Sequence, residues 1–187
     1  MKWEQVVKWL GMICLVAGIS RMGMTPCALI WGTDSPQELT FGFIACILMS
    51  VGTIATYMVQ SKEAGVVGFI SNLAIIIGNI VITCTLWSVF AFGGKMPDDP
   101  GVFVTISRMI MMVGTMLGSI VFAIVTYRAN VFPRWVVVLQ VLMMASFVLP
   151  EWFAFFWGLS YVGMGYVIWT GKVNQQSTIK TKEFYSA

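Results

Sequence analysis

Residues 64–92 read AGVVGFISNLAIIIGNIVITCTLWSVFAF, a run of 29 residues without a charged side chain. A helix crossing the hydrocarbon of a bilayer needs about 20 predominantly apolar residues, so this stretch is long enough by itself. Five further stretches share its character: Trp9–Trp31, Leu39–Val59, Val102–Tyr127, Val131–Leu149 and Trp152–Gly171. Strands of a membrane barrel would alternate apolar and polar residues in segments of about ten, and these runs are longer and continuously apolar. The expected fold class is therefore all-α, a polytopic membrane protein with six transmembrane helices. Residues 1–171 form a single domain, and residues 172–187 form a polar cytoplasmic tail.

Composition agrees. The chain is 58% hydrophobic and 10% charged, with a mean hydropathy of +0.86, where a soluble domain carries about 25% charged residues. Lipid is the expected partner of most of the surface. A net charge of +3, dispersed along the chain, argues against a nucleic-acid footprint. Met1 to Lys8 resembles the basic region of a signal peptide. The apolar run behind it continues past Arg21 to Trp31 without an A-x-A-like cleavage site, so an uncleaved anchor is expected.

Turn chemistry separates the runs. Gly32-Thr33-Asp34-Ser35-Pro36 and the stretch from Gly93 to Gly101 are turn clusters. Gln60-Ser61-Lys62-Glu63 reads as a short polar link, Arg128 to Arg134 as a basic link holding Asn130 and Pro133, and Pro150-Glu151 as the last break. Of the 11 basic residues, Lys2, Lys8, Lys62, Arg128, Arg134, Lys172, Lys180 and Lys182 fall on one side of this layout, and Lys95 alone on the other. Positive charge stays cytoplasmic, so both termini are expected inside, in a cytoplasmic membrane. Trp3, Trp9, Trp31, Trp87, Trp135, Trp152 and Trp169 lie near the ends of the expected helices, where amphipathic rings favour the interface.

The two remaining cations, Arg21 and Arg108, lie inside apolar runs. Arg21 stands 12 residues after Trp9 and 10 before Trp31, roughly 15–18 Å from either end at 1.5 Å per residue. An unpaired charge at that depth costs at least a few kcal/mol, so it must face the bundle or a watery cavity. Arg108 is shallower, and its stem can snorkel. The pair can form an outward-facing site for an anionic group such as a lipid phosphate or a carboxylate. Alternatively, each pairs with a carboxylate at a helix end: Glu38, Glu151, Asp98 or Asp99. The surrounding sequences, Ile19-Ser20-Arg21-Met22-Gly23-Met24 and Ile106-Ser107-Arg108-Met109-Ile110-Met111, agree at five of six positions. That is a pattern of inverted repeats or a coincidence among common residues.

Asn72, Asn79 and Thr83 share one face of the third run, and Ser50, Thr53, Tyr57 and Gln60 form a stripe on the second. Such stripes bind helices together through interhelical hydrogen bonds or line a polar cavity. The candidate ligand-binding residues are thus Arg21, Arg108, Asn72 and Asn79. Gly114 and Gly118 make a GxxxG that permits close backbone approach. Cys14, Cys27, Cys46 and Cys84 lie within apolar runs without CxxC spacing and read as buried small hydrophobes. The methionines read as flexible core filler rather than a copper site.

Several chemistries have no residues to carry them. There is no His, so His-ligated haem, His-based zinc and Ser-His catalysis are excluded. No GxGxxG or P-loop occurs, and no carboxylate stands in mid-helix for proton coupling. Neither an enzyme nor a metal or other cofactor is expected.

Tyr127-Arg128-Ala129-Asn130-Val131-Phe132-Pro133-Arg134-Trp135 and Phe155-Phe156-Trp157-Gly158-Leu159-Ser160-Tyr161-Val162-Gly163 resemble segments of small bacterial multi-pass membrane proteins of uncharacterised function, in which a basic R-x-x-x-x-P-R-W link joins two helices. The resemblance covers about a quarter of the chain. It implies a bacterial inner-membrane protein and no activity. In size and helix number the chain also resembles the substrate-binding components of energy-coupling-factor vitamin transporters. It departs from their Ala-rich first-helix pattern where it reads Gly11-Met12-Ile13-Cys14-Leu15-Val16. The functional expectation is a non-enzymatic accessory or interaction subunit of a membrane assembly, with a membrane-protein partner or a second copy of itself. The alternative is a transporter component that binds a small solute or an anionic lipid in a cavity around Arg21.

Overall fold

The computed structural model of the chain describes residues 3–93, 101–145 and 149–173. Every regular element among them is a helix: α1 (Trp3–Met22), α2 (Met24–Trp31), α3 (Pro36–Phe92), α4 (Gly101–Met112), a π-helical turn (Val113–Leu117), α5 (Gly118–Ala129), α6 (Arg134–Ala145) and α7 (Pro150–Thr170). Among the described residues four stretches are long and apolar enough to cross a membrane, Glu4–Trp31, Pro36–Phe92, Gly101–Ala129 and Trp152–Thr170, and Arg134–Met144 is a shorter apolar helix.

The 57 residues of α3 are not one rod. Gly65 holds φ 56° and ψ −153° inside it, a combination that a side chain at Cβ strongly disfavours. Tyr57 and Phe69 then meet with ring centroids 5.6 Å apart, although twelve residues of straight helix would separate them by about 18 Å. The chain doubles back at Gly65, so that Gly42 faces Leu86. The break therefore sits beyond the polar link expected at Gln60–Glu63, which is helical. Gln60 is fully buried and donates from Nε2 to Thr126 Oγ1 at 3.2 Å. A polar residue with an interhelical partner does not end a helix, whereas a glycine with φ > 0 does.

The other expected boundaries shift for similar local reasons. The first run starts earlier, at Trp3, and breaks at Gly23. Pro26, three residues on, cannot donate to the carbonyl of Met22, and the Phe41 ring packs where a Cβ of Gly23 would stand. The fourth run contains the π-helical turn, which its composition does not announce. Val131 and Phe132, expected to open the fifth helix, form a buried link before α6. At the other end of the Gly32–Pro36 turn, Ser35 caps α3 by accepting from the Glu38 amide at 3.4 Å, and Glu38 accepts from the Asp34 amide at 2.7 Å. This resembles a capping box, with Glu38 reaching the amide of Asp34 rather than that of the cap residue Ser35, and Pro36 stands in the first turn.

Glycines set the tightest packing. Gly18 and Gly158 face each other so closely that a Cβ on either would meet the other's carbonyl oxygen, and Gly165 lies against the Leu15 backbone. Each pair of glycines is spaced by seven, Gly11 and Gly18 on α1, Gly158 and Gly165 on α7, so each helix presents one bare face. The helices run antiparallel, since Gly11 meets Ile168 while Gly18 meets Gly158. The GxxxG pair acts as expected: Gly114 approaches the Ala74 carbonyl and Gly118 the Ser71 carbonyl on the second limb of α3. The buried core runs between α1, α3 and α7 through Cys14, Ala45, Met49, Trp157, Tyr161 and Met164.

Candidate functional site

Arg21 occupies the last turn of α1, immediately before the break at Gly23. The glycine contact between α1 and α7 brings it over α7, and the antiparallel first limb of α3 brings Cys46 opposite. The side chain is 7% exposed. Its guanidinium carbon lies 4.5 Å from the centroid of the Trp157 ring, and Nη1 donates to Cys46 Sγ at 3.5 Å. Neither partner carries a countercharge. Nε has no hydrogen-bond partner among the described residues. Glu38, half-buried at the start of α3, is the carboxylate within electrostatic reach.

A polar cluster continues inward from this cation. Tyr161 on α7 and Thr53 on α3 share a hydroxyl–hydroxyl hydrogen bond of 2.7 Å. Asn79, from the second limb of α3, lies beside the Tyr161 hydroxyl without hydrogen-bonding geometry at either amide atom. Cys14 donates its thiol to the Tyr161 carbonyl at 3.5 Å. Asn72 lies two turns further along the same limb as Asn79. Thr53, Asn72, Asn79 and Tyr161 are each at most 4% exposed, so the expected burial of both asparagines inside the bundle holds. Buried polar groups are normally paired. Here both amide atoms of Asn72 and of Asn79, Oε1 of Gln60 and of Gln140, and Nε of Arg21 have no partner among the described residues.

Of the charged side chains described, Arg21 alone is buried. An interior of neutral hydroxyls and amides with one positive guanidinium is suited to an anion or an anionic end of a polar solute. Carboxylates there would suit a cation, and none is buried among the described residues.

The two arginines do not share a site. Arg108 is exposed on α4, which packs on α3 rather than on α1. The two Ile-Ser-Arg-Met copies thus sit in unlike surroundings, one sealed among three helices and one on the surface. Asp98 and Asp99, and the tail from residue 174 on, lie outside the described residues. Cys14, Cys27 and Cys46 are buried as expected, but Cys84 is exposed, because it faces outward on the second limb of α3. Met109 and Met112 are likewise exposed rather than core.

Sequence reasoning missed Trp157, Cys46 and Tyr161 as neighbours of the charge. One signal was present: Trp157 is the tryptophan that does not stand near an expected helix end, and it lies in the core at 3% exposure. The other contacts depend on how the helices are rotated, which a single sequence does not encode. No protein-family model, curated protein or solved structure matches the chain.

Proposed function

We propose that this chain is a non-enzymatic, six-pass protein of the cytoplasmic membrane that binds a small anionic solute at Arg21, as a component of a transport system. Six passes follow from reading the two limbs of α3 as separate crossings and α6 as a short one. The side with both termini, Lys62 and the Arg128–Arg134 link is then cytoplasmic. The observation that carries the reading is the buried guanidinium whose direct contacts, the Trp157 ring and the Cys46 thiol, are neutral. A guanidinium is a fixed charge in proteins, and a cation held in low dielectric over a ring is stabilised by about 2 kcal/mol. A carboxylate or phosphate on the free Nε edge, with the Asn79 and Asn72 amides beyond it, would complete the site.

The test is thermal stability of the purified protein in neutral detergent against phosphate, sulfate, halides and small carboxylates. A true ligand at 100 times its Kd adds about 2.7 kcal/mol of stability. It should stabilise the wild type strongly, Arg21→Lys less and Arg21→Met not at all. If no anion separates the wild type from a folded Arg21→Met, the solute reading is lost. The second reading, an accessory subunit, is favoured by the Trp157 lid: a sealed, structural arginine would leave function to the outer surfaces. It expects a defined membrane-protein partner in a mild-detergent pull-down, retained by Arg21→Met.

A further inference from the structure

We infer that the groove between α5 and α6 is a binding site for one anionic phospholipid of the cytoplasmic leaflet, with Arg134 holding the phosphate and the groove below it holding an acyl chain. The site is separate from Arg21. It uses the topology proposed above only to name the leaflet.

The groove encloses about 490 Å³, within the range of about 300–1,000 Å³ typical of ligand sites. Its walls are graded. Arg134 and Tyr127 stand at the mouth, where α6 begins and α5 ends. Ile124, Val137, Val138 and Val141 line the interior. Among the described residues Arg134 is the only charged one in the lining, and it is exposed. Arg128, next in sequence to Tyr127, is exposed at the same end. This is the profile of a phospholipid: a phosphate where two guanidiniums and a phenol meet the interface, and aliphatic wall beneath. Arginine suits the phosphate because its planar fork can donate two parallel hydrogen bonds. Basic clusters between helices on the cytoplasmic side are where anionic head groups bind.

The length of the groove argues for a lipid over a partner helix. From Arg134 to Met144 it spans ten residues of α6, about 15 Å at 1.5 Å per residue. That is half of a hydrocarbon core of about 30 Å, the depth of a single leaflet. A partner helix would engage the full thickness and would have no use for a cation at one end of its track. Val138, 63% exposed on the groove wall, has the open side that an acyl chain would cover.

Native mass spectrometry of the full chain, delipidated in neutral detergent and titrated with phosphatidylglycerol or phosphatidylcholine of matched chains, tests the site. The wild type should bind one phosphatidylglycerol in preference to phosphatidylcholine. Arg134→Gln should weaken phosphatidylglycerol about fivefold, the weight of one basic side chain near an anionic surface, and leave phosphatidylcholine unchanged. Val138→Trp, which fills the groove from its exposed wall without touching the core, should weaken both lipids. Equal binding of the two lipids by the wild type overturns the proposal, as does an Arg134→Gln that keeps the preference. A Val138→Trp that keeps lipid but changes the oligomeric state would assign the groove to a second copy of the chain instead. None of these outcomes depends on anion binding at Arg21.

Discussion

Arg21 and Trp157 form a charge-on-ring contact, 4.5 Å from guanidinium carbon to ring centroid, between two helices whose backbones touch at Gly18 and Gly158. The two features depend on each other. Without side chains at the glycines α1 and α7 approach closely enough for Arg21 to reach over the indole, and the indole offsets part of the cost of bringing a fixed charge into the bundle.

The contact should show as coupling. In a double-mutant cycle of Arg21→Met and Trp157→Leu, thermal or denaturant unfolding in detergent should give an interaction energy of about 1–2 kcal/mol. Trp157→Leu alone should be the most destabilising of the three variants, because it leaves a cavity and strands the cation. Strict additivity of the two substitutions would show that the ring does nothing for the charge.

The glycine face gives a second prediction. Gly18→Ala places a methyl against the Gly158 carbonyl and the Val162 amide, backbone atoms that cannot rotate away. Overpacking of this kind costs about 1–3 kcal/mol. Gly65→Ala should cost a similar amount, about 1–3 kcal/mol, through backbone strain rather than contact, since nothing lies within 4 Å of a Cβ there. Unfolding midpoints of the two variants, measured against the wild type, check both. A Gly18→Ala as stable as wild type would mean that α1 and α7 are not in backbone contact.

Much of this fold is legible in the sequence, and the failures have physical causes. Apolar runs longer than a bilayer is thick, bounded by Gly, Pro and Asp, mark the helices. Polar residues mark the turns less well, because inside an apolar bundle they serve as interhelical partners. Gln60 reads as the start of a polar link and is fully buried, while the reversal waits for Gly65. The π-helical turn at Val113–Leu117 leaves no trace in composition. Arg21 was legible because a charge in an apolar run must be accommodated. Its partners were not, because Cys46 and Trp157 are 25 and 136 residues away in sequence, and their approach is set by the rotation of whole helices. Arg108 reads as its companion because both cations lie inside apolar runs, but α4 packs on α3 and leaves Arg108 exposed.

Asn79 separates a binding role from a packing role. It is fully buried, and neither amide atom has a partner among the described residues. Replacing an unsatisfied buried amide by an apolar side chain of similar shape is near neutral or stabilising. Asn79→Leu should therefore hold or raise the unfolding midpoint while abolishing the anion-dependent stabilisation expected of the wild type. If Asn79→Leu destabilises the protein by more than about 2 kcal/mol, the amide is a structural hydrogen-bonding group and not a reserve for ligand.

Orientation in the membrane is read by cysteine labelling at positions that the fold leaves open. Ser35, an obvious position in the first turn, is a poor labelling site: its hydroxyl caps α3 and the residue is 8% exposed. Gln37 and Lys62 are exposed at opposite ends of the first limb of α3. Cys84 is exposed and must be removed first as Cys84→Ser. In the proposed orientation the Lys62 side is cytoplasmic. A membrane-impermeant maleimide added to intact cells should then label Gln37→Cys and not Lys62→Cys, and lysed membranes should yield label at both. Because Gly65 turns the chain back, Val67→Cys, exposed just past the reversal, should follow Lys62→Cys rather than Gln37→Cys. Labelling of Lys62→Cys from outside would invert the protein. Labelling of Val67→Cys from the Gln37 side would refute the hairpin and return α3 to a single crossing.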